Sequence, residues 1–258
     1  MDFETWKDAQ PSKLNYKEII VETEIEKYKK IHKMLYRSLS MMIHDISFLY
    51  ATTEFDFFEL DSDWISINIL HTDIFENLIT RMYRVFFDNS GNDACSLVGF
   101  KCSLIGKMIK DEYKEQILND IRQLPIESKT YKKKSKKIQD NVIKLRHQYI
   151  AHGLINSTDS ASVKLVDLKE LLEYGCELFQ TLSFNVKDFY IGTSDGYGFE
   201  AEWKYTYKSS RAFIKYCQLS STYISDIYCE YNEYCPKEVQ DRLNEIIQEL
   251  NTSKKRCI

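Results

Sequence analysis

The chain has 258 residues, enough for one large domain or two small ones that bury a core without disulfides or metals. Three prolines and eight glycines, together with 29% charged residues, favour long helices over a β fold with many turns. The net charge of −4 excludes a globally basic polyanion binder, so any nucleic-acid contact must come from a local patch.

Cysteine usage and hydropathy set the expected compartment. The seven cysteines form no Cys-x-x-Cys pair and no Cys/His set with zinc spacing, which is typical of reduced thiols packed as small apolar side chains. The sequence contains no run of about 18 apolar residues, so no membrane span is predicted, and the first four residues lack a signal-peptide pattern. We therefore expect a soluble, cytoplasmic protein that contacts no membrane and needs no metal or cofactor.

The first half of the chain predicts four helices. After a polar lead-in over residues 1–15, apolar residues recur at helical spacing from residue 16 to residue 53. This predicts a long helix that belongs to a bundle or breaks once. Capping residues and a closing proline delimit the other three helices, which are predicted at Trp64–Phe87, Ser96–Ile109 and Glu112–Leu124.

The second half begins with a basic run that consists of Lys129, Lys132, Lys133, Lys134, Lys136 and Lys137. The run leads into a helix that Gly153 is predicted to end. One continuous buried stripe is predicted along this helix, formed by Ile138, Val142, Leu145, Tyr149 and His152. A further helix is predicted at Asp167–Phe184.

Residues 185–258 are predicted to form a C-terminal extension. Asp195-Gly196-Tyr197-Gly198 lies between alternating aromatic segments, which predicts a small β-hairpin within residues 189–203. Two helices should follow, at Ser209–Tyr231 and Pro236–Leu250. The expected architecture is therefore all-α, with a helical domain over residues 16–184 followed by this extension.

The richest stretch for chemistry is Lys144–Gly153, the only place where an arginine and two histidines fall within seven residues. On a straight α-helix, Arg146 and His152 would point about 120° apart. Arg146, His147 and His152 therefore cannot share one cleft from one straight helix. Either His152 turns at the helix end, or a second copy of the helix across a two-fold axis completes the site.

Such a cluster suits RNA cleavage without a metal. An imidazole can take a proton from a ribose 2′-hydroxyl or give one to the leaving 5′-oxygen. A guanidinium can stabilise the charge of the phosphorane through two parallel hydrogen bonds. The preceding lysine run supplies candidates for holding the RNA backbone, namely Lys132, Lys133, Lys134, Lys136 and Lys137.

Arg146-His147-x4-His152, near the end of a helix, resembles the signature of the HEPN superfamily. The stretch Asp73–Asp88, which contains Arg84 and Asp88, is followed by a Ser-Leu that starts the next helix. Together with Leu145–His152, these features resemble the HEPN-like proteins of the abortive-infection U type. The resemblance covers about residues 20–184.

The resemblance implies an all-α homodimer acting as a metal-independent endoribonuclease of phage-defence or toxin type. It implies that Arg146 and His152 are catalytic, that His147 is a polar auxiliary, and that Arg84 and Asp88 orient the site. RNA would be the substrate, with an antitoxin or an activating defence partner as regulator. Some HEPN toxins have a tyrosine two residues after the histidine, and this chain has leucine there, which does not support control by tyrosine modification.

Other interpretations stay open at this point. His152 can cap the helix end by favourable interaction with the helix dipole, and Arg146 can form a structural ion pair with a carboxylate such as Asp88. His147 can be solvated, Arg84 and Asp88 can be a simple helix pair, and the lysine run can be a solvated connector. The alternative functions are a non-catalytic HEPN module, which binds nucleic acid or nucleotide or assembles with a defence partner, and a purely structural helical scaffold.

Overall fold

A computed structural model describes residues 14–53, 65–88, 96–124, 127–150, 162–184, 191–193 and 196–231, and these residues form an all-α fold, as predicted. The α-helices in chain order are α1 (Tyr16–Ile19), α2 (Ile25–Thr52), α3 (Ile65–Met82), α4 (Leu97–Ser103), α5 (Asp111–Arg122), α6 (Lys129–Lys144), α7 (Leu165–Thr181) and α8 (Phe199–Tyr231). Three π-helical turns, called here the first, second and third π turn, extend α3, α4 and α6 at Tyr83–Phe87, Leu104–Met108 and Leu145–Ile150.

Some sequence predictions fall outside the residues that the structure describes. They concern His152 and Gly153 at the end of the motif, and the helix predicted at Pro236–Leu250. The lead-in over residues 1–13 also lies outside. The division of the chain at residue 184 stays a prediction.

The long first helix breaks once, between α1 and α2. Ile20 and Val21 are extended, and a 3-10 turn at Glu22–Glu24 follows them. Ile20 forms an antiparallel bridge with Ile109, and the Val21 N–H donates to the Met108 carbonyl over 2.8 Å. A run of β-branched residues favours this extended segment, and a partner from beyond α4 satisfies its backbone.

α2 is the central helix of the bundle and packs against α3, α7 and α8. Its apolar stripe follows the predicted spacing and is buried at Leu35, Leu39, Met42, Ile46 and Leu49. Most buried apolar residues of the described ranges belong to one continuous core around this stripe. None of the helices in those ranges is both long enough and apolar enough to cross a membrane.

Two serines begin helices through their side chains. Ser96 Oγ accepts from the Gly99 N–H over 3.1 Å and starts α4, as predicted. Ser128 Oγ accepts from the Tyr131 N–H over 3.2 Å and starts α6. The lysine run therefore lies within the first turns of α6 and is not a connector, although most of its lysines are solvated as that interpretation expected.

The hairpin is shorter than predicted. Gly192–Thr193 (β1) pairs antiparallel with Gly196–Tyr197 (β2), and Gly198 adopts a φ of 96°, which glycine tolerates. Phe199–Trp203, predicted as the second alternating segment, is instead the first turn of α8.

The physical reason for this correction is an aromatic spacing of four. Phe199, Trp203 and Tyr207 lie on one face of a helix, where consecutive rings stack with centroids 5.8 and 5.6 Å apart. α8 consequently begins ten residues before the predicted start at Ser209.

Candidate functional site

The Arg-His motif lies on the third π turn, which departs from the predicted α-helical geometry. A π turn closes hydrogen bonds between residues i and i+5, so it inserts one residue relative to an α-helix and shifts the side chains that follow. His152 lies outside the described residues, so its expected separation of about 120° from Arg146 stays a prediction. π turns of this kind are frequent at functional sites.

Arg146, His147 and Tyr83 form one half-buried group, called here the Tyr83 cluster. The Arg146 guanidinium carbon lies 4.8 Å from the centroid of the Tyr83 ring. The His147 ring meets the same tyrosine edge to face, with centroids 5.7 Å apart and an interplanar angle of 82°. Arg146 Nη1 lies 3.4 Å from His147 Nδ1. The structure thus brings together two of the three motif residues and adds an aromatic platform to them.

The contact between Arg146 and His147 assigns the imidazole tautomer. A guanidinium can only donate hydrogen bonds, so His147 Nδ1 is the acceptor and the ring proton lies on Nε2. At 3.4 Å the bond is long and weak. His147 therefore keeps an Nε2–H donor, and Arg146 keeps the remaining N–H groups of its guanidinium for an anionic ligand.

Buried residues of the first π turn hold Tyr83 in place. Val85 and Phe86 are buried in the core, and the Asp88 N–H closes the turn by donating to the Tyr83 carbonyl over 2.9 Å. Phe86 reaches α7 at Gly175, where a Cβ would overlap the phenyl ring and approach Leu97 Cδ1 to 3.1 Å. Because Gly175 has no side chain, the Phe86 ring, and with it the first π turn, can pack directly against α7.

The other predicted site residues take separate positions. Arg84 is exposed and is the second residue of the first π turn, while Asp88 is half-buried and directly follows the turn. Among the described residues, no hydrogen bond, ion pair or ring contact joins Arg84 to the Tyr83 cluster. A role for Arg84 and Asp88 in orienting the site stays a prediction.

Within the described ranges, some lysines of the basic run have acidic partners and others have no ion pair. Lys132 donates to Glu127 over 2.8 Å, and Lys134 contacts Glu170 and lies 3.9 Å from Asp167. Lys133, Lys136 and Lys137 are exposed. Of the five lysines predicted to hold RNA, Lys132 and Lys134 are thus already neutralised by acidic partners.

A buried acidic cluster lies between α7 and α8, and sequence reasoning missed it. Glu173, Glu200 and Glu202 are all buried, and Glu202 accepts from Ser40 Oγ over 3.1 Å. Burial raises the pKa of Glu173 to about 7, while Lys169 opposes the rise and Glu200 adds to it. Within the described part of the chain, no set of His, Cys, Asp and Glu side chains is arranged to hold a metal ion.

Sequence reasoning also missed Tyr83. It is adjacent to Arg84, which the sequence singled out, yet nothing in the local pattern distinguishes it from the nearby Phe86 and Phe87. Its contacts with Arg146 and His147 arise from packing between the first and third π turns, which are distant in sequence. Comparison with known proteins finds no matching family, no matching curated protein and no matching solved structure.

Proposed function

We propose that the chain is a HEPN-type, metal-independent endoribonuclease that acts as a homodimer in antiphage defence or as a toxin. The observation that carries this proposal is the Tyr83 cluster: Arg146 and His147 of an Arg-His-x4-His motif lie together, half-buried, on a π turn. The reaction type is inferred from the motif resemblance. The Tyr83 cluster supports it because the Arg146 guanidinium lies beside the His147 imidazole.

Each residue has a distinct role in the proposed reaction. His152 of one subunit takes the proton of a ribose 2′-hydroxyl, and its copy in the other subunit protonates the leaving 5′-oxygen. The 2′-oxygen attacks phosphorus and the bond to the 5′-oxygen breaks, leaving a 2′,3′-cyclic phosphate and a 5′-hydroxyl. Arg146 stabilises the phosphorane charge, and its stacking on Tyr83 restricts the orientation of the guanidinium. His147 assists as a hydrogen-bond donor through Nε2.

The dimer is part of the proposal because a single copy of the motif supplies one Arg-His set. Two copies across a two-fold axis would place an arginine and a histidine on each side of one phosphodiester. The regulator in this proposal is an antitoxin or an activating defence partner.

The proposal is tested by incubating purified protein with total RNA in EDTA. Wild type should produce fragments that end in 2′,3′-cyclic phosphate, while Arg146→Ala and His152→Ala should be slower by about a hundredfold or more. Arg122→Ala is a matched control because Arg122 lies at the exposed end of α5. It should cleave like wild type.

A second arm addresses the need for a trigger. The same four proteins are expressed in a bacterial host with and without phage infection, and host RNA is examined. RNA that stays intact in wild-type cells under both conditions would contradict catalysis. If host RNA stays intact and the purified wild type binds RNA without cutting it, the non-catalytic binding module replaces the ribonuclease.

A further inference from the structure

A groove of about 690 Å³ runs between α6 and the start of α7, away from the Tyr83 cluster. Ile138 and Val163 contribute apolar surface to its wall. The polar and charged residues that line it are Lys133, Lys134, Lys137, Asn141, Lys164 and Asp167. The volume lies within the range of small-molecule and cofactor sites.

The charges of the groove leave an excess of lysine. Lys134 is neutralised by Glu170 and also lies 3.9 Å from Asp167, the carboxylate that lines the groove. Lys133, Lys137 and Lys164 are exposed, and within the described ranges no ion pair engages them. The groove therefore offers three ammonium groups against one carboxylate, which favours an anionic ligand.

The backbone at one end of the groove is held in place. Asn141 Nδ2 donates to the Ser162 carbonyl over 3.0 Å, which ties the segment before α7 to α6. Lys164 is the N-cap residue of α7, and its side chain makes no capping hydrogen bond. The positive end of the dipole of this 17-residue helix thus lies at the groove and adds to the attraction for anions.

Helix geometry separates the groove from the Tyr83 cluster. Lys133, Lys137 and Asn141 are four residues apart and form one stripe along α6. The stripe ends at Asn141, and none of the described residues that line the groove belongs to the third π turn, which carries Arg146 and His147. A ligand in the groove would therefore not occupy the space in front of Arg146.

We propose that this groove binds a ligand with at least two neighbouring phosphate groups. Lys133 and Lys137, whose Cβ atoms lie about 6 Å apart on adjacent turns, would each bind one phosphate, and Lys164 would close the groove from the other side. Ile138 and Val163 provide an apolar surface for the uncharged part of the ligand. Both a free polyphosphate and a polynucleotide backbone have this chemistry. The proposal does not depend on the ribonuclease proposal.

The test measures binding of two probes by the purified full-length chain. The probes are inorganic tripolyphosphate and a short oligodeoxythymidine, which has no 2′-hydroxyl and cannot be cut by the proposed reaction. The groove variant carries Lys133→Ala, Lys137→Ala and Lys164→Ala. The matched control carries Lys107→Ala, Lys129→Ala and Lys208→Ala, three exposed lysines that do not line the groove.

Wild type and the matched control should bind at least one of the two probes with the same affinity. The affinity of the groove variant for that probe should be lower by roughly tenfold or more. For the oligonucleotide, the slope of log affinity against log salt should fall by about two units, because each lost phosphate contact contributes about 0.7. Binding of tripolyphosphate would identify a compact polyphosphate ligand, and binding of the oligonucleotide alone would identify a strand.

Three results would overturn the proposal. The first is that neither probe binds wild type at millimolar concentration. The second is that the groove variant binds as tightly as wild type. The third is an equal loss in the groove variant and the matched control, which would show a response to net charge alone. Circular dichroism of both triple variants establishes that they are folded before binding is compared.

Discussion

His32 and His147 both lie on helices beside an aromatic ring, yet the structure gives them opposite surroundings. His32 is fully buried, with its Nε2 2.8 Å from Ser183 Oγ and its ring stacked 4.5 Å from Phe179. His147 is half-buried and has a hydrogen bond of 3.4 Å from Arg146. Burial and a short hydrogen bond make His32 part of the framework, whereas His147 keeps a ring nitrogen for other partners.

The bonds around His32 connect α2 to the end of α7. Ser183 Oγ donates to the Phe179 carbonyl over 2.7 Å, so its oxygen accepts from His32 Nε2–H. Tyr28 Oη donates to the Leu182 carbonyl over 2.9 Å. The Leu182 carbonyl, just beyond α7, is thereby satisfied, and the Phe179 carbonyl gains a second donor beside the Leu182 N–H.

The largest expected effect on stability comes from His32→Ala. It leaves a cavity among aromatic rings and removes the hydrogen bond to Ser183, which should lower the free energy of unfolding by about 2 to 4 kcal/mol. His147→Ala, the matched substitution at the half-buried histidine, should change it by less than about 0.5 kcal/mol. Denaturant unfolding measures both. Equal losses would remove the distinction between the two histidines.

The same histidine predicts a pH dependence. Burial lowers the pKa of His32 from 6.5 to about 4. As pH falls from about 6.5 to about 4, the unfolded chain binds a proton that the folded chain does not, so His32 lowers wild-type stability over this window. His32→Ala should lack this part of the acid profile, and an unchanged profile would contradict a buried neutral imidazole.

The next largest effect is expected at Gly175, which links the framework to the site. Gly175→Ala forces Phe86 to shift and should cost about 1 to 3 kcal/mol by overpacking. Since Phe86 and Tyr83 share the first π turn, the ring protons of His147 should also shift in NMR spectra. Gly106→Ala is the control, because a Cβ there meets no atom within 4 Å. A shift of His147 with both variants, or with neither, would contradict this link.

A smaller effect is expected from the acidic cluster. Glu173 has a pKa raised from 4.5 to about 7, so it is neutral when folded and ionised when unfolded between those values. Wild-type stability should therefore decrease as pH rises through this window. Glu173→Gln should gain about 1 to 2 kcal/mol at pH 8, after allowance for solvent screening, and almost nothing at pH 4.

The control for this prediction is Glu76→Gln, an exposed position in the middle of α3. It should leave stability unchanged at both pH values. A gain for Glu173→Gln that is the same at pH 4 and pH 8 would show that packing, rather than the ionisation of the carboxylate, is responsible.

A still smaller effect on stability is expected at Tyr83. Tyr83→Leu removes the ring beneath Arg146 and should cost about 0.5 to 1 kcal/mol of cation–π interaction. Tyr83→Phe keeps the ring and should retain that interaction. If Arg146 is catalytic, RNA cleavage should fall about fivefold in the leucine variant only. Equal cleavage by both variants would show that the ring does not position Arg146.

Periodicity predicted much of the framework, and long-range contacts explain where it failed. The α2 stripe could be predicted because a buried helix face repeats along the sequence itself. The position of the break at Ile20 could not be predicted, because it depends on a backbone bridge to Ile109, which is distant in sequence. The early start of α8 had a local signal, the aromatic spacing of four, which the alternating pattern obscured.

The candidate site was only partly accessible from sequence. Arg146 and His147 are adjacent in the chain, so the motif alone placed them together. Tyr83 reaches them through packing between two π turns, and no local pattern predicts a π turn. The groove was hidden for a similar reason, because Lys164 joins Lys133 and Lys137 only after α7 returns beside α6.

The most direct test of the ribonuclease proposal is the chemistry of the RNA ends made by wild type and by Arg146→Ala in EDTA. The account predicts fragments with 2′,3′-cyclic phosphate and 5′-hydroxyl ends from wild type, formed about a hundredfold faster than by the variant. Fragments with 3′-hydroxyl ends, or equal rates from the two proteins, would contradict it.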